Sequence, residues 1–87
     1  MRPPMIEVLF FASLREALGC DRISVETDTA ITLDQLHAEL KRRFPAERYR
    51  TLLDNNIRVA VNQELTTGVV RLNPGCEVAF LPPVTGG

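Results

Sequence analysis

Cysteine is scarce in this chain. Cys20 and Cys76 lie far apart, with no Cys-x-x-Cys pair and no histidine at ligand spacing. That excludes a zinc site or thioredoxin-like motif and gives no basis for a disulfide-stapled secreted scaffold. There is no excess of positive charge either. Ten Lys+Arg face eleven Asp+Glu, for a net charge of -1 and a pI near 5.7. Phosphate neutralisation therefore has no electrostatic support, and nucleic acid is not an expected partner. The single lysine, Lys41, stands against nine arginines, a bias with no functional reading. Long apolar runs are missing too: Val8-Leu9-Phe10-Phe11-Ala12 is too short for a membrane span. Glu7 and Arg15 flank it, which does not suit a signal peptide. A soluble, cytoplasmic protein in a reducing compartment is the expectation, without membrane association.

What is present fits one small domain. Eighty-seven residues, 45% hydrophobic and 24% charged, make a single modest core with no room for a second. After the stiff Arg2-Pro3-Pro4, the run from Met5 to Ala12 is rich in β-branched and aromatic residues and reads as a strand. Both its faces are apolar apart from Glu7, which predicts that both are covered. Ser13 to Gly19 reads as a short helix, with Ser13 as N-cap, Ser13-x-x-Glu16 as a capping box and Gly19 as the stop. Arg22 to Glu26 alternates as a half-buried strand, and Thr27 to Ala30 is turn material.

The strongest helix signal follows. Thr32-x-x-Gln35 is a capping box, and Leu33, Leu36, Leu40 and Phe44 recur at helical spacing until Pro45. His37, the only histidine, falls at the edge of this stripe and reads as a helix-boundary residue, with no nucleophile or carboxylate motif beside it. Glu47 to Asn56 reads as a polar loop anchored by Leu52 and Leu53. Ile57 to Val61 is a strand, Asn62-Gln63 a tight turn with glutamine a poor second residue, and Val69 to Leu72 a short apolar piece. Glu77 to Leu81 is the last strand. One long helix on one face of a mixed four- to five-stranded sheet is the ubiquitin-like β-grasp arrangement, an α+β fold. Residues 1–81 form that domain, with 1–4 an irregular lead-in, and residues 82–87 form an extended tail. No second long helix is available for the other sheet face. Leu9, Phe11 and Leu81 point there, joined by Leu65, and such a patch predicts partner docking.

The tail, Pro82-Pro83-Val84-Thr85-Gly86-Gly87, can reach roughly 20 Å beyond the sheet. Its prolines hold the base extended and reduce the entropy lost on insertion into a partner. The two glycines have no Cβ, so a narrow channel can pass them and a reagent can approach the terminal carbonyl.

Val8 to Ala12 followed by Leu14-Arg15-Glu16, then Val59 to Leu65, then Glu77 to Gly87, resemble the small subunits of molybdopterin synthase, ubiquitin-like β-grasp sulfur carriers. The resemblance runs from Met5 to Gly87, and the Pro-Pro-Val-x-Gly-Gly ending is its most specific part. One departure is Pro74-Gly75-Cys76, where the family commonly has Asp-Gly-Asp. The resemblance implies that an E1-like adenylyltransferase/sulfurtransferase uses ATP to adenylate the terminal carboxylate, and that a sulfur donor then leaves a thiocarboxylate on Gly87. It implies docking on the large, catalytic subunit, in a heterotetramer built on a large-subunit dimer, and sulfur transfer to cyclic pyranopterin monophosphate. Two transfers form the dithiolene of molybdopterin, in molybdenum cofactor biosynthesis. Gly87 is then the covalent site, Gly86 supplies clearance, and Pro82, Pro83, Val84 and Thr85 form the stalk. Leu65 and Leu81 carry over as apolar docking positions and Arg15 as a polar one, beside Leu9 and Phe11 of the outward patch. The resemblance implies no metal and no bound cofactor, ATP being used by the activating partner. No side chain would do acid–base work, so the chain delivers sulfur within a heteromeric sulfurtransferase.

Three other readings stay open from the sequence. The carrier could feed thiamine or tRNA thiolation, it could be a ubiquitin-like modifier joined to lysines, or the Gly-Gly could be incidental to a plain interaction module.

Overall fold

The computed structural model describes residues 3–66 and 68–83. Its central feature is a five-stranded mixed sheet made by β1 (Met5–Phe10), β2 (Arg22–Glu26), β4 (Arg58–Val61), β5 (Glu64–Leu65) and β7 (Glu77–Leu81), in the order β2-β1-β7-β4-β5. β7 is the middle strand, parallel to β1 and antiparallel to β4. A parallel pair requires a crossover, and α2 (Leu33–Arg43) lies within it. α2 begins at the expected capping box: the Thr32 side chain accepts from the Gln35 N–H at 3.1 Å, and the Gln35 side chain accepts from the Thr32 N–H at 2.8 Å. Leu36 and Leu40 are fully buried with Ile6, Val8, Phe10, Val78 and Phe80. One helix and one sheet face therefore make the core, as a β-grasp fold requires. Among the described residues no helix is long and apolar enough to cross a membrane.

Several local expectations are corrected. Ser13 is the first residue of α1 (Ser13–Leu18) rather than its cap, and no side chain caps that helix. Ala12 takes the cap position with φ 51°; with Ser13 already helical, its hydroxyl makes no bond to the third helical N–H. Gly19 does stop the helix, in a left-handed conformation with its N–H on Arg15 O. A Cβ there would collide with the Arg48 guanidinium, which donates to Leu18 O. The stretch expected as a loop contains α3 (Ala46–Tyr49) and a 3-10 turn (Arg50–Leu53). The Pro45 carbonyl accepts from both Arg48 and Tyr49 N–H, and Tyr49 and Leu52 are buried. Leu53, expected as an anchor, is exposed.

The hairpin residues Asn62 and Gln63 both have positive φ, 51° and 72°, as a primed turn demands. The unfavourable glutamine is held there by tertiary contacts. Asn62 N–H donates to Glu77 O at 2.8 Å, and Asn62 Oδ1 accepts from Glu77 N–H at 3.0 Å. Only Arg71–Leu72 of the expected apolar piece is a strand, β6. It pairs outside the main sheet with β3 (Ile31–Thr32), a strand absent from the sequence reading.

His37 is half-buried rather than a simple boundary residue. Its ring stands edge-on to Tyr49 and Phe80, and Nδ1 lies 3.1 Å from Tyr49 Oη. Burial lowers its pKa from the ordinary value of 6.5, with Asp34 opposing. The unfolded chain therefore binds the proton more tightly. The stability this residue contributes is complete above the unfolded pKa and is lost as pH falls through the lowered folded value. The melting temperature should drop on acidification from about pH 7.5 to about pH 5, by an increment missing in His37→Gln. Thermal melts across that range test this. Phe80→Ala should cost about 4 kcal/mol in urea unfolding, much of the roughly 5–10 kcal/mol such a domain has.

Candidate functional site at the outer sheet face and tail root

Strand alternation sends every second residue away from α2. Registers on the outer face connect Arg22 to Leu9, Leu9 to Ala79, Ala79 to Ala60, and Ala60 to Leu65. One row thus crosses all five strands, with two alanines as its floor and leucines as its walls. Ala60 and Ala79 are each only 7% exposed, whereas Leu65 is 62% exposed. Leu81 follows on the tail side, paired with Arg58. Phe11 is 41% exposed, and its N–H reaches Phe80 O at 3.2 Å, extending the β1–β7 pairing by one bond. Arg15 is exposed on α1, which follows that corner. Leu9, Leu65, Leu81 and Phe11 therefore gather around the C-terminal end of the central strand. The sequence reading missed the alanine floor. Its signal was the small residue at the outward position of two otherwise bulky strands.

The chain leaves this end of β7 as Pro82, half-buried, and Pro83, exposed. Two open depressions flank that root. Leu33, Arg58, Leu65 and Thr66 line one, with Pro83; Leu14, Leu53, Asp54 and Ile57 line the other, with both prolines. The remaining predicted tail residues, Val84, Thr85, Gly86 and Gly87, lie outside the described residues. His37 packs on Phe80, whose side chain is in the core, so the histidine sits on the opposite side of β7 from the outer face.

The sequence profile of the ThiS family matches residues 8–87. The chain belongs to the ThiS family. The molybdopterin synthase sulfur carrier subunit of Escherichia coli (strain K12) is 42% identical over 84 residues, which cover 95% of this chain and 100% of that protein. Among solved structures, SAMP1 from Haloferax volcanii superposes with a TM-score of 0.77 at 30% identity, covering 95% of this chain and 99% of that one. Another is a complex of subunits 1 and 2 of molybdopterin-converting factor from Helicobacter pylori 26695. It matches with a TM-score of 0.66 at 25% identity, covering 95% and 99% of the two chains. These β-grasp neighbours agree with the architecture described above.

The cysteines lie off this face. Cys76 is buried in the core and Cys20 is half-buried. Burial pushes both thiols up, helped at Cys20 by Asp21 and opposed by Arg48, and opposed at Cys76 by backbone hydrogen bonds. Less thiolate means a weaker nucleophile. Iodoacetamide at neutral pH should therefore alkylate the native protein at least about tenfold more slowly than the urea-unfolded chain, as followed by intact mass.

Proposed function

We propose that this protein is the sulfur carrier subunit of a molybdopterin synthase. The observation that carries the reading is an outward apolar face gathered at the root of a Pro-Pro stalk, in a chain similar along 95% of its length to a molybdopterin synthase sulfur carrier subunit. In this reading an E1-like partner transfers AMP from ATP to the Gly87 carboxylate, releasing pyrophosphate. A persulfide-type donor then attacks the acyl carbon and AMP leaves. A second thiol on the donor side then attacks the donor's inner sulfur and forms a disulfide with it; the sulfur–sulfur bond to the acyl group breaks, and a C-terminal thiocarboxylate remains. The carrier docks through Leu9, Phe11, Leu65 and Leu81, with Arg15 as a polar contact. Pro82 to Thr85 carry the tip into the large subunit, with Gly86 as the thin link. The sulfur passes there to cyclic pyranopterin monophosphate, and a carboxylate is regenerated by water. The large-subunit partner is supported by the Helicobacter pylori complex of subunits 1 and 2. The heterotetramer and a cytoplasmic setting belong to the same proposal.

A second reading is favoured by the likeness to SAMP1, small archaeal modifier protein 1, of Haloferax volcanii, which a second structure repeats at a TM-score of 0.75. A modifier shares adenylation but ends in an amide to lysine. Thiocarboxylate and conjugate differ in mass and are told apart on one spectrum.

Protein purified from its native host should contain a species about 16 Da heavier than the sequence mass, oxygen being replaced by sulfur. Deletion of Gly87 should remove that species and abolish dithiolene formation without moving the melting temperature; a deleted protein that still makes dithiolene refutes the carrier reading. Leu81→Asp or Phe11→Asp should weaken large-subunit binding by on the order of several kcal/mol, because the new charge is desolvated without a partner. The free domain should change by about 1 kcal/mol or less, since both positions are partly solvated. Calorimetric titration beside thermal melts separates the two effects.

A further inference from the structure

The outer face carries its charges unevenly along the strands. At the tail end, Arg22 pairs across from Leu9 and Arg58 from Leu81. At the far end, Glu7 on β1 lies beside Glu77 on β7, and Glu26 lies across from Met5. No strand residue facing outward at the tail end is acidic, and none facing outward at the far end is basic. Like charges on adjacent strands repel, yet Glu7 and Glu77 occupy neighbouring positions. Among the described residues the only ion pairs are those of Glu39 with Arg42 and Arg43. Among the described residues the one side-chain donor to Glu7 is the Ser24 hydroxyl, at 2.8 Å. Two half-buried carboxylates thus stand without a cation on the far side of the apolar row, while Arg22 at the β2 end of that row and Arg58 on its tail side stand without an anion.

An apolar row gives adhesion but no direction. A partner could cover the leucines and alanines in either sense along the strands, and only one sense leads the tail into a pocket. We infer that the Glu7–Glu77 pair and the Arg22–Arg58 pair set the direction of docking. The partner is a protein surface with carboxylates at the mouth of the pocket that takes the tail and an arginine or lysine at the opposite rim. The inference rests on the sulfur-carrier reading and names the chemistry of its docking partner. A guanidinium placed between Glu7 and Glu77 would relieve their repulsion with hydrogen bonds to both, the geometry arginine supplies best. Complementary rim charges act chiefly on encounter, so the effect belongs mainly in the association rate and its salt dependence.

The test measures association of this protein with the molybdopterin synthase large subunit of its host, by surface plasmon resonance from low to high NaCl. It compares wild type, the Glu7→Lys/Glu77→Lys pair, the Arg22→Glu/Arg58→Glu pair and Leu81→Asp. Each reversal should slow association about tenfold at low salt, with the difference closing at high salt. If a reversed pair fails to fold by circular dichroism, Glu7→Gln/Glu77→Gln takes its place, with about threefold expected. Unchanged, salt-independent association in the charge variants, with Leu81→Asp still losing binding, overturns the inference and leaves the carrier reading standing. If Leu81→Asp binds like wild type, the docking face itself is misassigned. A face with opposite charges at its two ends also complements a second copy turned through two-fold symmetry. A wild-type homodimer in sedimentation equilibrium that the reversals dissolve would overturn the inference in favour of that pairing.

Discussion

The parallel pairing of β1 with β7 is the constraint on which the rest depends. It brings the first and last strands of the sheet side by side at its centre, in register from Glu7 with Glu77 to Phe10 with Phe80. Because the two strands run the same way, the end of β1 and the end of β7 reach the same edge. α1 therefore starts beside the root of the tail, and Phe11 is tied to Phe80 by the bond beyond the last pair. An antiparallel arrangement would have sent Phe11 and α1 to the opposite edge. The crossover that parallel strands require carries α2, so the same topology that places the tail also supplies the helix that builds the core.

β7 then serves both layers. Val78 and Phe80 are completely buried on the side of α2, while Ala79 and Leu81 face the other way. A rigid core on one side fixes the positions of the residues on the other, since strand alternation leaves no freedom between them. The stalk inherits that rigidity at its root. Pro82 continues directly from a strand held on both flanks, and the low-entropy proline backbone extends it. In the proposed carrier this fixes the direction in which the chain leaves the docking face at Pro82 and Pro83.

The legible parts of the sequence were those in which local and tertiary forces agree. The Thr32–Gln35 box, the Leu36–Leu40 stripe and the alternation of Glu77 to Leu81 each specify their element from a few neighbours. The helices around Tyr49 were obscured because only Tyr49 and Leu52 of a charged stretch turn inward, leaving too short a pattern for a helical period. β3 and β6 have two residues each, below what any periodicity can show. Gln63 illustrates tertiary override: its positive φ follows from the anchorage of Asn62 on Glu77, which lies in a distant part of the chain. At the candidate site, the bulky residues were readable as unexplained apolar positions on the outer face. Ala60 and Ala79 were not, because a small residue signals its role only when its cross-strand partners are known.

The corner at Ala12 shows how the face and the tail root are joined. Its backbone, at φ 51° and ψ -126°, is one that glycine adopts freely and alanine adopts at a cost of about 1–3 kcal/mol. Such strain persists only when bonds on both sides hold it. Here Phe11 N–H is fixed to Phe80 O, Leu14 N–H to Phe11 O and Arg15 N–H to Ala12 O. Alanine also has fewer unfolded conformations to lose than glycine, which offsets part of the strain. The chain turns from β1 into α1 without a flexible residue at the corner. Phe11, exposed in the free protein, is thereby held beside the end of β7 instead of folding back into the core. That restraint leaves less ordering to be done when a partner covers the face, and it originates in the same β1–β7 pairing that aims the tail.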